Sequence, residues 1–196
     1  MDFSIVVYII IVIIVLYYFI SWWSSESTQL VTIHATTSSQ TIDEKKGAKN
    51  TDVNCAYSIW INVTDTNVGG GTPATELGSG HRAIFTRSDI VMSLDTVNKL
   101  NLHVNFDKDG GTTTDLTQII ESSLDDISLP MQKWVNIIIS FESGYLTVYI
   151  DGKMVASKII PGWSALLDNT IIGGPATFTG EIANFKFFNN YLTVQD

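Results

Sequence analysis

An unbroken apolar run at the N-terminus constrains this chain more than any other feature. It covers residues 3–20, reads FSIVVYIIIVIIVLYYFI, contains Ser4 as its single polar residue, and is followed by Ser-Trp-Trp. A helix rises about 1.5 Å per residue, so 18 to 21 residues span roughly 27–31 Å, the hydrocarbon thickness of a bilayer. The run therefore predicts a transmembrane helix within residues 1–23 that holds the chain in a lipid bilayer.

The aromatic residues of this run cluster at its C-terminal end, where amphipathic rings favour the headgroup layer. The positions expected to contact lipid or the interface include Phe3, Ile9, Ile13, Tyr17, Tyr18, Trp22 and Trp23. A cleaved signal peptide is disfavoured, because Met1-Asp2 is not a positive n-region and no small-residue cleavage site follows. A buried core helix would seldom be apolar on every face. We therefore expect a membrane location, with the orientation left open.

Charge and cysteine content limit the function of the rest of the chain. The net charge of −9 argues against nucleic acid as a partner, since phosphate binding needs a basic stripe. Cys55 is the single cysteine, so an intrachain disulfide is impossible. That fits folding in a reducing compartment, or a virus assembled in one. About 170 residues remain beyond the helix, enough for one domain with a substantial core.

Residues 24–54 form a polar linker with a possible first strand at 29–35, and from Cys55 onward the apolar residues alternate. This period-two pattern and the Asp-Gly and Ser-Gly turns between the runs predict ten or eleven short strands. We expect an all-β, two-sheet antiparallel sandwich over residues 55–196. The residues expected in its core are Trp134, Ile137, Ile139, Leu146, Val148, Ile150, Phe185 and Phe187.

Two segments of this sandwich carry a family resemblance. Residues 134–157, WVNIIISFESGYLTVYIDGKMVAS, resemble the signature hairpin of laminin-G-like domains, which belong to the concanavalin A-like lectin/glucanase superfamily. Residues 172–188, IGGPATFTGEIANFKFF, resemble the closing strand of that family. The resemblance covers roughly residues 50–196 and implies a concanavalin A-like jelly roll. Asn136 stands where the family usually has His.

Catalytic and metal-binding patterns are missing from the sequence. Hydrolases on this fold usually present E-x-D-x-x-E on one strand face to supply paired carboxylates, and the chain lacks that string. We therefore expect no enzyme and no catalytic residue. The histidines have no metal-ligand spacing, and His103 is expected to face solvent. No cofactor is expected, although Asp107 and Asp109 resemble the start of a weak calcium loop.

Exposed aromatic residues beside amides suggest the remaining candidate site. Trp60 and Asn62 alternate onto one face of a predicted strand, and Trp163 is a second aromatic candidate. Sugar binding needs an exposed aromatic ring with polar neighbours, so these residues are the candidate carbohydrate-binding site. A glycan is therefore a possible partner.

The leading functional hypothesis is a non-catalytic structural protein. An Ile-rich terminal anchor, a single cysteine and an Asn-rich sandwich resemble minor capsid proteins of large icosahedral double-stranded DNA viruses, which lie between a capsid and an inner membrane. On this hypothesis the chain docks neighbouring capsid or membrane proteins through the segments 69–80 and 107–126. The alternatives are a carbohydrate-binding surface or adhesion protein and, less favoured, a glycoside hydrolase.

Overall fold

The chain folds into one helix and eleven described strands in a computed structural model. The model describes residues 3–24, 27–35, 39–42, 54–65, 81–87, 90–104, 127–160, 170–173 and 178–193. The elements are α1 (Phe3–Ser24), β1 (Ser27–Ala35), β2 (Gln40–Ile42), β3 (Cys55–Asp65), β4 (Arg82–Arg87), β5 (Ile90–Leu94), β6 (Leu100–Val104), β7 (Trp134–Glu142), β8 (Tyr145–Ile150), β9 (Lys153–Ile159), β10 (Thr170–Ile172) and β11 (Thr179–Phe188).

The strands form two antiparallel sheets, as the alternating pattern predicts. One sheet has six strands in the order β1-β11-β3-β7-β8-β9, and the other has five in the order β2-β10-β4-β5-β6. All of the described strand pairs are antiparallel. The predicted first strand lies at the edge of the six-stranded sheet, where β1 pairs with β11.

The core between the sheets follows the predicted alternation in most positions. Ile137, Ile139, Leu146, Val148, Phe185 and Phe187 are buried, which confirms six of the predicted core residues. Ile150 is only partly buried. Trp134 is also only partly buried, and the prediction that it fills the core is wrong. It lies on the opposite face from Val135 and Ile137, because neighbouring residues of a strand face opposite ways.

Two tight hairpins form at the predicted turn pairs. Asp151 and Gly152 have φ angles of 48° and 74°, and Ser143 and Gly144 have 43° and 87°. Positive φ at both central residues is the mark of the turn that matches the right-handed twist of the flanking strands. The hairpins β7–β8 and β8–β9 are therefore set by local turn chemistry as well as by burial.

Helix α1 occupies the apolar run, but the model does not support a membrane anchor. Its side chains are described for residues 6–19, and all of these are exposed. Among the residues that the structure describes, no helix has both the length and the apolar character needed to span a membrane. The predicted membrane location is therefore wrong, and the anchor and bilayer contact that it assumed are not supported.

Candidate functional site

The central strand β3 turns one row of side chains inward and another outward. Ile59, Ile61 and Val63 are buried in the core. Trp60 and Asn62 alternate with them on the outer face, and 38% of the Trp60 surface is exposed. The predicted pair thus lies on a single outward face, and Trp60 is not a core residue. We call this region the Trp60 surface, comprising Trp60, Asn62, Trp134, Asn136 and Ala183.

Strand register places a polar residue on one side of the aromatic ring and a small residue on the other. Trp60 lies opposite Asn136 on β7 and opposite Ala183 on β11. Because Ala183 is small, the edge of the indole that faces it is not walled in by a large side chain. Asn62 lies between Trp134 and Glu181 in the next row.

Hydrogen bonds hold Asn136 in place beside the ring. Its Nδ2 donates to the Ser58 hydroxyl at 3.1 Å and to the Ile59 carbonyl at 3.4 Å, and its backbone N–H donates to Asp151 Oδ1 at 2.9 Å. These bonds use the amide nitrogen, so the amide oxygen remains an acceptor with capacity for a ligand hydroxyl. The carboxamide that replaces the usual His of the family is therefore a fixed polar group.

Asn62 is held against a glycine in the neighbouring strand. A Cβ built on Gly180 would lie 2.0 Å from the Asn62 carbonyl oxygen and 2.8 Å from the Phe178 ring. Glycine is thus required for β11 to approach β3 at this point. The Oδ1 of Asn62 is enclosed and accepts no hydrogen bond from the residues that the structure describes. An enclosed acceptor without a partner costs about 1–3 kcal/mol, so a donor that reached it would recover that energy.

The C-terminal segment limits the Trp60 surface at one end of the sheet. The backbone N–H of Leu192 donates to the Ser140 hydroxyl at 2.9 Å. Ser140 and its partner Ala56 lie on the outer face but are only 3% and 0% exposed. Residues 189–193 therefore cover this end of the face, and the open part is centred on Trp60.

Charges of both signs lie around the open part. Lys186 is paired with Ser58, and Glu181 is paired with Asn62. Asp151 bonds to Asn136 at the β8–β9 turn. The surface has no strong field of one sign, which suits a neutral ligand better than a polyanion.

A second set of polar residues lies on the outer face of the five-stranded sheet. Ser93, Asn101 and His103 are 0%, 8% and 9% exposed, so the prediction that His103 faces solvent is wrong. The His103 ring lies 6.3 Å from the His81 ring, measured between centroids, with the planes at 82°. In the described part of the chain, no group of three or more His, Cys, Asp or Glu residues could hold a metal ion.

Sequence reasoning missed two buried arginines on β4. Arg82 is fully buried and donates to the Asp95 carbonyl and to Asn98 Oδ1, each at 2.5 Å. Burial lowers the pKa of Arg82, while the charges of Asp95 and Asp65 act to raise it. These contacts close the β5–β6 turn, so Arg82 has a structural role. Nothing in a period-two pattern marks an arginine as an inward residue.

The other buried arginine packs on an aromatic cluster. Arg87 donates to the Tyr57 hydroxyl, and its guanidinium carbon lies 5.2 Å from the centroid of the Tyr57 ring. The same ring packs against Phe85, Phe185 and Phe187. A guanidinium over an aromatic face is a stabilising contact, and it places Arg87 in the core rather than at a binding surface.

Several predicted site residues lie outside the described residues. These are Trp163, Asp107, Asp109 and the docking segments 69–80 and 107–126. The predicted carbohydrate and calcium roles of these residues therefore stay predictions.

The chain belongs to the concanavalin A-like lectin/glucanases superfamily, because the laminin-G family model of that superfamily matches residues 34–196. This confirms the family that the sequence resembles. No curated protein sequence matches the chain significantly.

Solved structures with the same fold include three of the binding domains of botulinum neurotoxins. The serotype D domain superposes with a TM-score of 0.54 at 14% identity, over 87% of this chain and 41% of that one. The binding domain of neurotoxin DC in complex with rat synaptotagmin II superposes with a TM-score of 0.53 at 13% identity, over 87% of this chain and 45% of that one. The binding domain of neurotoxin DC in complex with SialylT superposes with a TM-score of 0.54 at 13% identity, over 87% of this chain and 44% of that one. This chain thus spans less than half of each neighbour, and the likeness shows the fold alone.

Proposed function

We propose that this chain is a non-catalytic binding module and that the Trp60 surface binds carbohydrate. The observation that carries the proposal is a tryptophan, 38% exposed, at the centre of a sheet face with a carboxamide beside it in each of two rows. Large apolar residues of this sandwich are mostly buried between the sheets, so a tryptophan on the open outer face calls for another role than packing.

The chemistry of the surface matches that of a neutral sugar. A pyranose ring has a face of C–H groups that packs on an indole, and its hydroxyls both donate and accept hydrogen bonds. Trp60 supplies the apolar face, and Asn62 and Asn136 supply carboxamides on the same side of the sheet. Most ligand sites combine an apolar surface with a few fixed polar groups in this way.

The comparisons support a binding role by analogy. The superfamily name covers lectins, and two of the structural neighbours are binding domains solved with SialylT or with rat synaptotagmin II. One fold carries many functions, so the site residues must carry the proposal for this chain.

The absence of catalysis is part of the proposal. Glycoside hydrolysis needs two carboxyl groups about 5–9.5 Å apart on either side of the scissile bond. Glu181 and Asp151 lie near the Trp60 surface, but β3 and β7 lie between strand β11 and the β8–β9 turn, so roughly three strand spacings of about 4.8 Å separate their backbones. The aromatic ring, rather than a carboxylate pair, lies at its centre.

The test is glycan binding by the intact chain and by a Trp60→Ala variant. A glycan array followed by calorimetry should find a neutral glycan whose affinity falls at least about tenfold, or about 1.4 kcal/mol, in the variant. Trp60→Phe should keep part of the affinity, because it keeps an aromatic face. Tyr145→Ala is the matched control, since it removes an exposed aromatic ring elsewhere on the same sheet face. Equal binding by the intact chain and Trp60→Ala would rule out this site.

A structural role through protein docking is the second candidate. It is favoured by exposed apolar side chains at the β8–β9 end of the same face. The virion setting stays a prediction that no finding tests. Because the predicted membrane location is wrong, a role in linking a protein shell to a bilayer is no longer supported.

A further inference from the structure

Strands β8 and β9 expose an unusual amount of apolar side chain on their outer face. Tyr145 is 52% exposed, Met154 62% and Ile159 68%. Tyr145 and Ile159 are directly opposite each other, and Met154 is opposite the half-buried Tyr149. These side chains form two apolar pairs on one sheet face, and the polar pair Thr147 and Ser157 lies between them. The apolar residues are thus grouped in pairs, which differs from the single exposed apolar residues that are ordinary on protein surfaces. We call Tyr145, Tyr149, Met154 and Ile159 the β9 patch.

The β9 patch borders a strand edge. In the described part of the chain, β9 is the last strand of the six-stranded sheet and pairs with β8 alone. The unpaired side of such a strand presents backbone N–H and C=O groups that can bond to a further strand. Apolar side chains and backbone groups are thus available at the same place.

The charge at the edge differs in sign from the charge of the chain. The net charge is −9, yet β9 carries Lys153 and Lys158 and no acidic residue. Lys153 is exposed and Lys158 is partly exposed. A basic edge strand repels other basic strands and attracts acidic ones.

We propose that the edge of β9 binds an extended acidic segment of another protein as an added strand. The backbone of that segment would bond to β9, its apolar side chains would pack on Met154 and Ile159, and its carboxylates would pair with Lys153 and Lys158. Addition of a strand to a sheet edge is a known mode of peptide recognition, in which alternate side chains give the specificity. This partner is separate from the glycan of the Trp60 surface, because β7 and β8 lie between β3 and β9.

A second copy of this chain fits the edge less well than an acidic partner. Pairing of β9 with β9 of another copy would bring the lysines of both strands together, between two chains that each carry a charge of −9. Like charges across a strand pair are destabilising. The proposal therefore commits to an acidic partner, and self-association through β9 is an outcome that would contradict it.

The test uses two blocked synthetic peptides of about the length of β9, which has seven residues. One alternates valine with glutamate and the other valine with lysine, and both are N-methylated at alternate residues so that they can pair along one edge only. Calorimetry with the full chain should show the glutamate peptide binding at least about tenfold tighter than the lysine peptide, with an affinity that falls as salt rises. Amide chemical-shift changes should map to β9.

Charge reversal provides the matched variants. A Lys153→Glu/Lys158→Glu variant should reverse the preference between the peptides, whereas Lys133→Glu, which reverses a charge outside β9, should leave it unchanged. Ile159→Ser should lower the affinity for both peptides by about the same factor. The proposal is overturned if neither peptide binds, if both bind equally well, if the shift changes lie outside β9, or if the chain dimerises through this edge instead.

Discussion

The outer faces of the two sheets have the same alternating pattern but opposite surroundings. On the five-stranded sheet the outward residues Val91, Ser93 and His103 are at most 9% exposed. On the six-stranded sheet the outward residues Trp60 and Tyr145 are 38% and 52% exposed. Alternation therefore identifies which residues share a face, but it does not tell whether that face is in contact with water.

The difference has a functional consequence. In the part of the chain that the structure describes, residues 189–193 cover Ser140 and its neighbours, and Trp60 and Tyr145 on the rest of the outer face of the six-stranded sheet are open to a ligand. The outer face of the five-stranded sheet is closed over β5 and β6, whereas Ile171 on β10 is 45% exposed. Ser93 Oγ is enclosed on β5 and has no hydrogen-bond partner among the described residues. The binding surfaces proposed for this chain therefore both lie on the six-stranded sheet.

The largest loss of stability is expected from a charge placed on the enclosed outer face of β5. Ser93→Asp places a carboxylate where the native side chain is 0% exposed, which should lower the free energy of unfolding by about 3–5 kcal/mol. Burial raises the pKa of the introduced carboxyl, so the loss should shrink as the pH falls and the group becomes neutral. Urea unfolding at several pH values measures both effects.

Ser157→Asp is the control for that comparison, because Ser157 is an exposed serine on the outer face of the six-stranded sheet. Its effect on stability should stay within about 0.5 kcal/mol. Similar losses in the two variants would mean that the two faces do not differ in burial as described.

A cavity in the shared core should cost somewhat less than the buried charge. Ile139 is 0% exposed, so Ile139→Ala should lower the free energy of unfolding by about 2–5 kcal/mol through the cavity that it leaves. Ile138→Ala removes the same atoms from the outer face of the same strand, where the side chain is only partly buried. The difference between the two midpoints of urea unfolding measures how much more the inward side chain contributes to stability than the outward one. Equal losses would show that β7 has no preferred inner face.

The buried arginine of the five-stranded sheet should give a smaller loss. Arg82→Met keeps the apolar bulk but leaves Asn98 Oδ1 without its described donor and removes one of two bonds to the Asp95 carbonyl, which still accepts from the Asn98 N–H. The cost should be about 1–3 kcal/mol. Lys99→Met is the control, because it removes a cation from the same turn without removing a described side-chain hydrogen bond. A loss below about 0.5 kcal/mol for Arg82→Met would mean that water or other groups satisfy both acceptors equally well.

Most of the fold could be predicted from the sequence, because its signals are local. Alternation predicted the strands, and Asp151-Gly152 and Ser143-Gly144 predicted the hairpins by requiring positive φ. The alternation of Val135, Ile137 and Ile139 also implied that Trp134 faces outward. Trp134 was nevertheless expected in the core with the alternating aliphatic residues, and that prediction was wrong.

The candidate site could be predicted only in part, because it depends on contacts between distant segments. Trp60 and Asn62 share a strand, and their common face follows from period two. Asn136 and Ala183 come from two other strands, and only the register brings them beside Trp60. The burial of Arg82 and His103 likewise depends on what covers each position, which a pattern along one strand does not record.

The smallest effect on the sandwich is expected from removal of helix α1. All the described side chains of the helix, residues 6–19, are exposed, so little packing energy is lost with it. Deleting residues 3–24 should change the free energy of unfolding of the sandwich by less than about 0.5 kcal/mol, measured by urea unfolding under matched conditions. The exposed apolar surface of the helix should, however, promote association in water, so sedimentation should show the full chain more associated than the truncated one. A truncated sandwich that lost more than about 1 kcal/mol would show that the helix packs on it, and the sheet faces compared above would then need to be reassigned.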